Sequence, residues 1–255
     1  MLKITAIHTL VDNYIWLVLN NNKCLIIDPN NELLVTKFLR IHKLQLVAIL
    51  ITHSHDDHIS GVSALKNIYQ VPVYGPKETN YLNNYTIKND DVINVLQQYK
   101  FTVLSLPGHT KYHVGYYHYP WLFCGDTLFS AGCGRIFNSS IKNMFNSLNK
   151  INKLPSNTII FPSHEYTIKN LNFIITNNIT LLSNMFIIKY YRRIVKRMIL
   201  NKIPSLPTSL YLERIINPFI QCTNSFYYKN KLIKLPQGMN NFDYFKYLRN
   251  KKDTF

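Results

Sequence analysis

The sequence predicts an α/β protein, in the α+β sense, whose strand-and-helix body is followed by a smaller helical part. Three observations predict it. Short β-rich runs separated by polar turns fill the first two-thirds of the chain. Segments with helical spacing lie between those runs. After His164 the β-rich runs give way to apolar residues recurring at helical intervals. The expected division is 1–168 and 169–255. With 255 residues, 47% of them apolar and 16% charged, the chain can bury a core and is not of disordered composition.

In chain order, Ile4–Leu10, Tyr14–Leu19 and Lys23–Ile27 read as a strand meander. Asn31 to His42 has helical spacing, with Leu33, Leu34, Phe38 and Ile41 on one side. Leu46–Ile51 is a buried strand, too short and too isolated to span a membrane. His58–Tyr69 reads as one helix. Phe101–Leu106, Val114–Tyr119 and Trp121–Cys124 are strands, Ile141–Lys150 a helix and Thr158–Phe161 a short strand. Beyond these, Ile187, Tyr190, Tyr191, Ile194, Val195, Met198 and Ile199 form a stripe expected to be a core face. Pro204 and Pro207 interrupt it before a helix around Ser209–Ile216, and Gln221 to Gly238 reads as irregular. No apolar block of signal-peptide length precedes Asp12, so a cytoplasmic protein is expected.

Cys24, Cys124, Cys133 and Cys222 form no CxxC pair and read as buried, reduced thiols. The formal charge of +16 is uneven. Residues 1–168 carry 14 Lys and Arg against 10 Asp and Glu; residues 169–255 carry 15 against 3. A basic half suits an anionic partner. The abundance of Lys over Arg, with Asn, Ile, Tyr and Phe, also fits simple drift in an AT-rich genome.

The chemistry concentrates at strand ends. Leu46–Ile51 runs into His53, His55, Asp56, Asp57 and His58; Phe101–Leu106 into His109; Trp121–Cys124 into Asp126; Thr158–Phe161 into His164. A strand end is where a rigid scaffold presents side chains. Imidazoles and carboxylates suit zinc, and also iron or manganese. Five histidines with Asp57 and Asp126 exceed the needs of one tetrahedral ion and suit two. Asp126 is the better bridging candidate. Asp56 reads as hydrogen-bonded to a ligand or exposed. His8, His42 and His118 read as structural or exposed, with His113 a weak candidate to support His109.

His-x-His-x-Asp-His, then the Gly-His-Thr histidine, the Gly-Asp aspartate and the late histidine resemble the metallo-β-lactamase superfamily. The resemblance implies a four-layer αββα sandwich with a smaller helical C-terminal domain. It places His53, His55 and His109 on one metal ion and Asp57, His58 and His164 on a second, with Asp126 bridging. Gly125-Asp126-Thr127-Leu128-Phe129, Ala131-Gly132-Cys133-Gly134-Arg135, His164-Glu165-Tyr166-Thr167, Asn217-Pro218-Phe219 and the terminal Leu248 to Asp253 resemble the glyoxalase II family, the hydroxyacylglutathione hydrolases.

That resemblance implies hydrolysis of the thioester S-D-lactoylglutathione, the second step of methylglyoxal detoxification, in residues 1–168, with glutathione bound through 169–255. Arg135, Tyr166, Arg249 and Lys252 would hold the glutathione. Phe137 would stand where the family commonly has a tyrosine, with the loss of one hydroxyl. Two divalent ions, zinc first, are the expected cofactors. A monomer acting on a small molecule is expected, without membrane or nucleic acid. The alternatives are a one-iron glutathione persulfide dioxygenase of the same superfamily, an RNA-processing nuclease favoured by the basic half, and a non-catalytic binding protein, which the complete ligand set argues against.

Overall fold

Continuous apolar strands need cover on both faces, and this requirement shapes the first half of the chain. A computed structural model describes residues 2–96, 99–179, 182–223 and 238–255. Among these the chain forms two compact units, Met1–Leu106 with Tyr112–Gly125, and Pro107–Lys111 with Asp126–Phe255.

In the first unit, β1 (Lys3–Thr9), β2 (Asn13–Asn20) and β3 (Lys23–Ile27) pair antiparallel. β4 (Gln45–Leu50), β5 (Val73–Gly75) and β6 (Tyr85–Thr86) then extend the sheet in parallel. The crossover from β3 to β4 is α1 (Glu32–Ile41), whose N-cap Asn31 accepts from the Leu34 N–H at 2.9 Å. Val35 and Leu39 of α1 join Ile26, Ile49 and Ile51 in the core; Leu33, Leu34 and Ile41, expected on its apolar side, are exposed. The single helix expected over His58–Tyr69 is two, α2 (Asp56–Ile59) and α3 (Val62–Tyr69). The break is at Gly61, whose N–H donates to the Pro29 carbonyl at 3.0 Å; a Cβ there would lie 2.8 Å from that oxygen. A side chain cannot pass so close to the backbone after β3.

A second, antiparallel sheet follows: β7 (Val92–Leu96), β8 (Tyr99–Ser105), β9 (Val114–His118) and β10 (Trp121–Gly125). The buried Tyr116 hydroxyl donates to the Ile51 carbonyl at 2.5 Å, fixing this sheet beside the end of β4.

The second unit begins its own structure with a tight hairpin, β11 (Leu128–Phe129) and β12 (Gly132–Cys133). α4 (Ile141–Asn152) follows, capped by Ser140, and then β13 (Ile159–Pro162), which pairs with β14 (Thr208–Ser209). The remainder is helical: α5 (Thr167–Thr176), α6 (Leu182–Leu200), α7 (Leu210–Ile216), α8 (Pro218–Cys222) and α9 (Asn241–Asp253).

The stripe expected as the core face of α6 is only partly so. Met185, Ile188 and Val195 are buried, while Ile187, Tyr190, Ile194 and Ile199 are exposed. The seven residues span more of the circumference than one buried face admits, and spacing alone did not identify the inward arc. The expected irregular stretch Gln221 to Gly238 lies mostly outside the described residues, with Gln221 and Cys222 closing α8. All four cysteines are free and buried.

Candidate metal centre and anion cavity

The first unit gathers His53, His55, Asp57 and His58 just beyond β4. His53 and His58 are buried, and a third group stands with them: Asp28, at the end of β3. The Asp28 carboxylate accepts from His58 Nδ1 at 3.0 Å, from the Thr52 hydroxyl at 2.7 Å and from the Thr52 N–H at 2.7 Å. With its proton given to Asp28, the Thr52 hydroxyl accepts from His53 Nδ1 at 3.0 Å. One carboxylate thus sets both rings so that Nε2 is the nitrogen left to bind a metal. Asp57 is held by the Asn13 amide, 3.0 Å from its Oδ2, and the Asn30 amide, 2.7 Å from its carbonyl.

The donor atoms of this set suit an ion. His53 Nε2 and His55 Nδ1 are 3.1 Å apart, and His58 Nε2 and Asp57 Oδ2 3.7 Å apart. Ligands about 2.1 Å from a tetrahedral ion are separated by roughly 3.4 Å. Ordinary core packing does not converge four basic or acidic donors at that spacing. His113 stacks on His53, with centroids 4.8 Å apart. Asp56 is exposed on α2. His8 and His42 lie against Tyr14 and Phe38, and His118 bonds the Lys100 carbonyl.

The second unit brings together His109, Asp126 and His164. The Nε2 atoms of both histidines lie 3.4 Å from the same carboxylate oxygen, Asp126 Oδ2. His109 Nδ1 donates to the Arg135 carbonyl at 2.7 Å; a carbonyl can only accept, so Nε2 is again the ring nitrogen that suits a metal. Gly134 makes this approach possible. A Cβ there would lie 1.9 Å from the Asp126 carbonyl oxygen, so every other residue is excluded while the loop folds over Asp126.

That loop is braced from α7 and α8. Glu213, fully buried, accepts from the Ala131 N–H at 2.8 Å and the Thr208 hydroxyl at 2.8 Å; Asn217 donates to the Phe129 and Gly132 carbonyls at 3.1 and 3.0 Å. Burial raises the Glu213 carboxyl above its usual range, against the lowering effect of these donors. The Asn-Pro-Phe segment singled out in the sequence is therefore a loop support.

Beside it lies a cavity of about 420 Å³ lined by Phe129, Cys133, Arg135, Tyr166, Lys169, Asn170, Arg249 and Lys252. Four of the five residues expected to hold glutathione line it. The fifth, Phe137, sits edge-on to His109 at 5.2 Å. Arg249 is 4% exposed; it donates to the Cys133 and Gly134 carbonyls at 2.9 and 3.3 Å and to Asp253 at 3.0 Å. Arg135 Nε is 3.7 Å from the same Asp253. Tyr166 stacks on His164 at 4.8 Å, with rings 4° from parallel. Burial, then the charge of Arg249, brings the Lys252 ammonium down to about 8.

The sequence reading missed Asp28, Asn13, Asn30, Glu213 and Lys169. Asp28 carried a usable signal, since Lys23–Ile27 runs into it as the other strands run into their ligands.

Residues 8–164 match the model of the metallo-β-lactamase superfamily, and residues 165–255 that of the hydroxyacylglutathione hydrolase C-terminus. The chain is 45% identical to a hydroxyacylglutathione hydrolase of Baumannia cicadellinicola subsp. Homalodisca coagulata, over 100% of this chain and 97% of the relative. It is 46% identical to that of Wigglesworthia glossinidia brevipalpis, over 96% of this chain and 95% of the relative. Among solved structures, BLEG-1 B3 metallo-β-lactamase is similar with a TM-score of 0.66 at 21% identity, covering 86% of this chain and 99% of that one. ETHE1 from Myxococcus xanthus is similar with a TM-score of 0.65 at 22% identity, covering 92% of each chain. These likenesses show a metallo-β-lactamase fold.

Proposed function

Because the chain belongs to the hydroxyacylglutathione hydrolase family of the metallo-β-lactamase superfamily, we propose that it hydrolyses S-D-lactoylglutathione to D-lactate and glutathione, the second step of methylglyoxal detoxification. It is a thioester hydrolase by family. The observation that carries the substrate assignment is the cavity in which Arg135, Tyr166, Arg249 and Lys252 meet. A glutathione thioester presents carboxylates, and cationic donors make charge-assisted bonds to them.

The proposed ligands are His53, His55 and His109 for one ion and Asp57, His58 and His164 for a second, with Asp126 shared. The donor spacings within each unit support this, as do the Nδ1 partners that leave Nε2 available. Zinc is the first candidate, with iron and manganese suited to the same donors. Such ions, when bound, supply Lewis acidity and lower the pKa of water to about 7.

The protein's own groups do the rest. Asp28 and the Arg135 carbonyl hold the imidazoles in one tautomer. Lys252 and Arg249 receive the glycine carboxylate, and Tyr166 frames the thioester end beside His164. A thiol of ordinary pKa near 8.5 leaves without a dedicated acid. In this reading residues 1–168 are the catalytic domain and 169–255 the glutathione-binding one. The protein works as a cytoplasmic monomer without membrane or nucleic-acid partner. Among the described residues no helix is long and apolar enough to cross a membrane.

The test is an S-D-lactoylglutathione hydrolysis assay with elemental analysis of the same sample. Turnover with two metal equivalents is expected. A fully metallated sample that leaves the thioester intact, or one iron with persulfide oxidation, would overturn the proposal.

A further inference from the structure

Asp253 stands where a carboxylate does little for its own helix. It is the last residue of α9, directly after Lys251 and Lys252. A carboxylate at a helix C-terminus opposes the helix dipole. Its i,i+4 pairing with Arg249 runs in the less favourable order, the cation before the anion. Helix stability therefore does not account for it.

Its contacts lead to the cavity instead. One oxygen, Asp253 Oδ1, accepts from Arg249 Nη2 at 3.0 Å and lies 3.7 Å from Arg135 Nε. Both arginines line the cavity. The Arg135 side chain is 65% exposed, so without an anchor it would keep most of its rotamer freedom. Arg249 is buried, and its donors are divided. Nη1 donates to the Cys133 and Gly134 carbonyls and Nη2 to Asp253, while Nε has no hydrogen-bond partner among the described residues. A buried guanidinium nitrogen left this way costs free energy, which a bound carboxylate would offset.

Resting on the glutathione reading above, we propose that Asp253 is a positioning residue for glutathione: it turns Arg249 so that Nε is presented to the glycine carboxylate, and it anchors Arg135 at the same oxygen. It acts through the two arginines and touches no substrate atom. Its negative charge also weakens the pull of the cavity on an anion, so two effects oppose each other. The burial of Arg249 decides between them. A buried guanidinium deprived of its carboxylate carries an uncompensated desolvation penalty and would turn towards solvent, away from the ligand.

The experiment measures kcat and KM on two thioesters, S-D-lactoylglutathione and its glycinamide analogue, in which a neutral amide replaces the glycine carboxylate. We expect Asp253→Ala to raise KM several-fold for the glutathione thioester with kcat unchanged, and to leave KM for the glycinamide analogue unchanged. Asp253→Asn keeps an oxygen acceptor for Arg249 and loses the charge facing Arg135, so its KM should rise less, again for the glutathione thioester alone. If Asp253→Ala does not fold, the Asn variant carries the same comparison. A KM that is unchanged or lowered for the glutathione thioester, or an equal rise for both thioesters, overturns the role of Asp253 and leaves the enzyme assignment standing. A metallated wild type inactive on the glutathione thioester overturns both.

Discussion

Lys252 offers a prediction whose size follows from its surroundings. Burial and Arg249 lower its ammonium pKa from 10.5 to about 8. The sign is that of a base with a depressed pKa: the charge is present below about 8 and lost above it. At pH 7 roughly nine-tenths of the lysine is charged, and at pH 9 roughly one-tenth. If the charged form binds the carboxylate, its contribution to kcat/KM falls about tenfold between those two values. Other groups of enzyme and substrate titrate in the same range. The assay is therefore the ratio of kcat/KM for wild type and Lys252→Gln on S-D-lactoylglutathione, with spontaneous hydrolysis subtracted at each pH. Titrations common to both enzymes cancel in the ratio. The excess of the ratio over one should fall about tenfold between pH 7 and pH 9. A ratio constant across that range would refute the assignment of Lys252 to the carboxylate. In Lys169→Gln the fall should move to higher pH, because one repelling charge is gone.

Other perturbations address the metal centre and the loop. Asp126→Ala or His55→Ala should abolish turnover and lower metal content by elemental analysis; a variant with full metal and full rate would exclude these ligands. Asp28→Ala removes the acceptor that sets His58 and, through Thr52, His53. Metal affinity, read by competition with a chelator, should fall roughly 10- to 100-fold. Phe137→Tyr restores a hydroxyl the family commonly has. A hydrogen bond worth about 1 kcal/mol would lower KM roughly fivefold, and an unchanged KM would show that the position does not touch the peptide part.

The proposed metal ligands were legible in sequence because four of them lie within six positions after a strand, and the others repeat the same strand-then-ligand pattern. Strand and helix identities came from patterns over four or more residues. β5 and β6 were missed for the opposite reason: three and two residues carry no pattern. α9 was missed as a helix because its sequence is strongly polar, and its Asn240 cap is one asparagine among many. Asp28 and Glu213 act through bonds to residues 24 and 82 positions away, a distance that no local spacing encodes. Lys169 was one of 15 cations in a basic half, and only its neighbours around the cavity distinguish it.

The loop over Asp126 has a further implication. The carboxylate proposed as the shared metal ligand opens it, an arginine expected to hold substrate closes it at Arg135, and Gly134 is pressed against the first while Arg249 grips the carbonyl of the second's neighbour. On the proposed assignments, chemistry and recognition share one span of backbone ten residues long. Such a span cannot be retuned for a new thiol carrier without disturbing the carboxylate at its other end. A lineage that kept the hydrolytic centre would have to change partner by trading side chains on the helices, where Lys169 and Lys252 stand, and leave the loop as inherited.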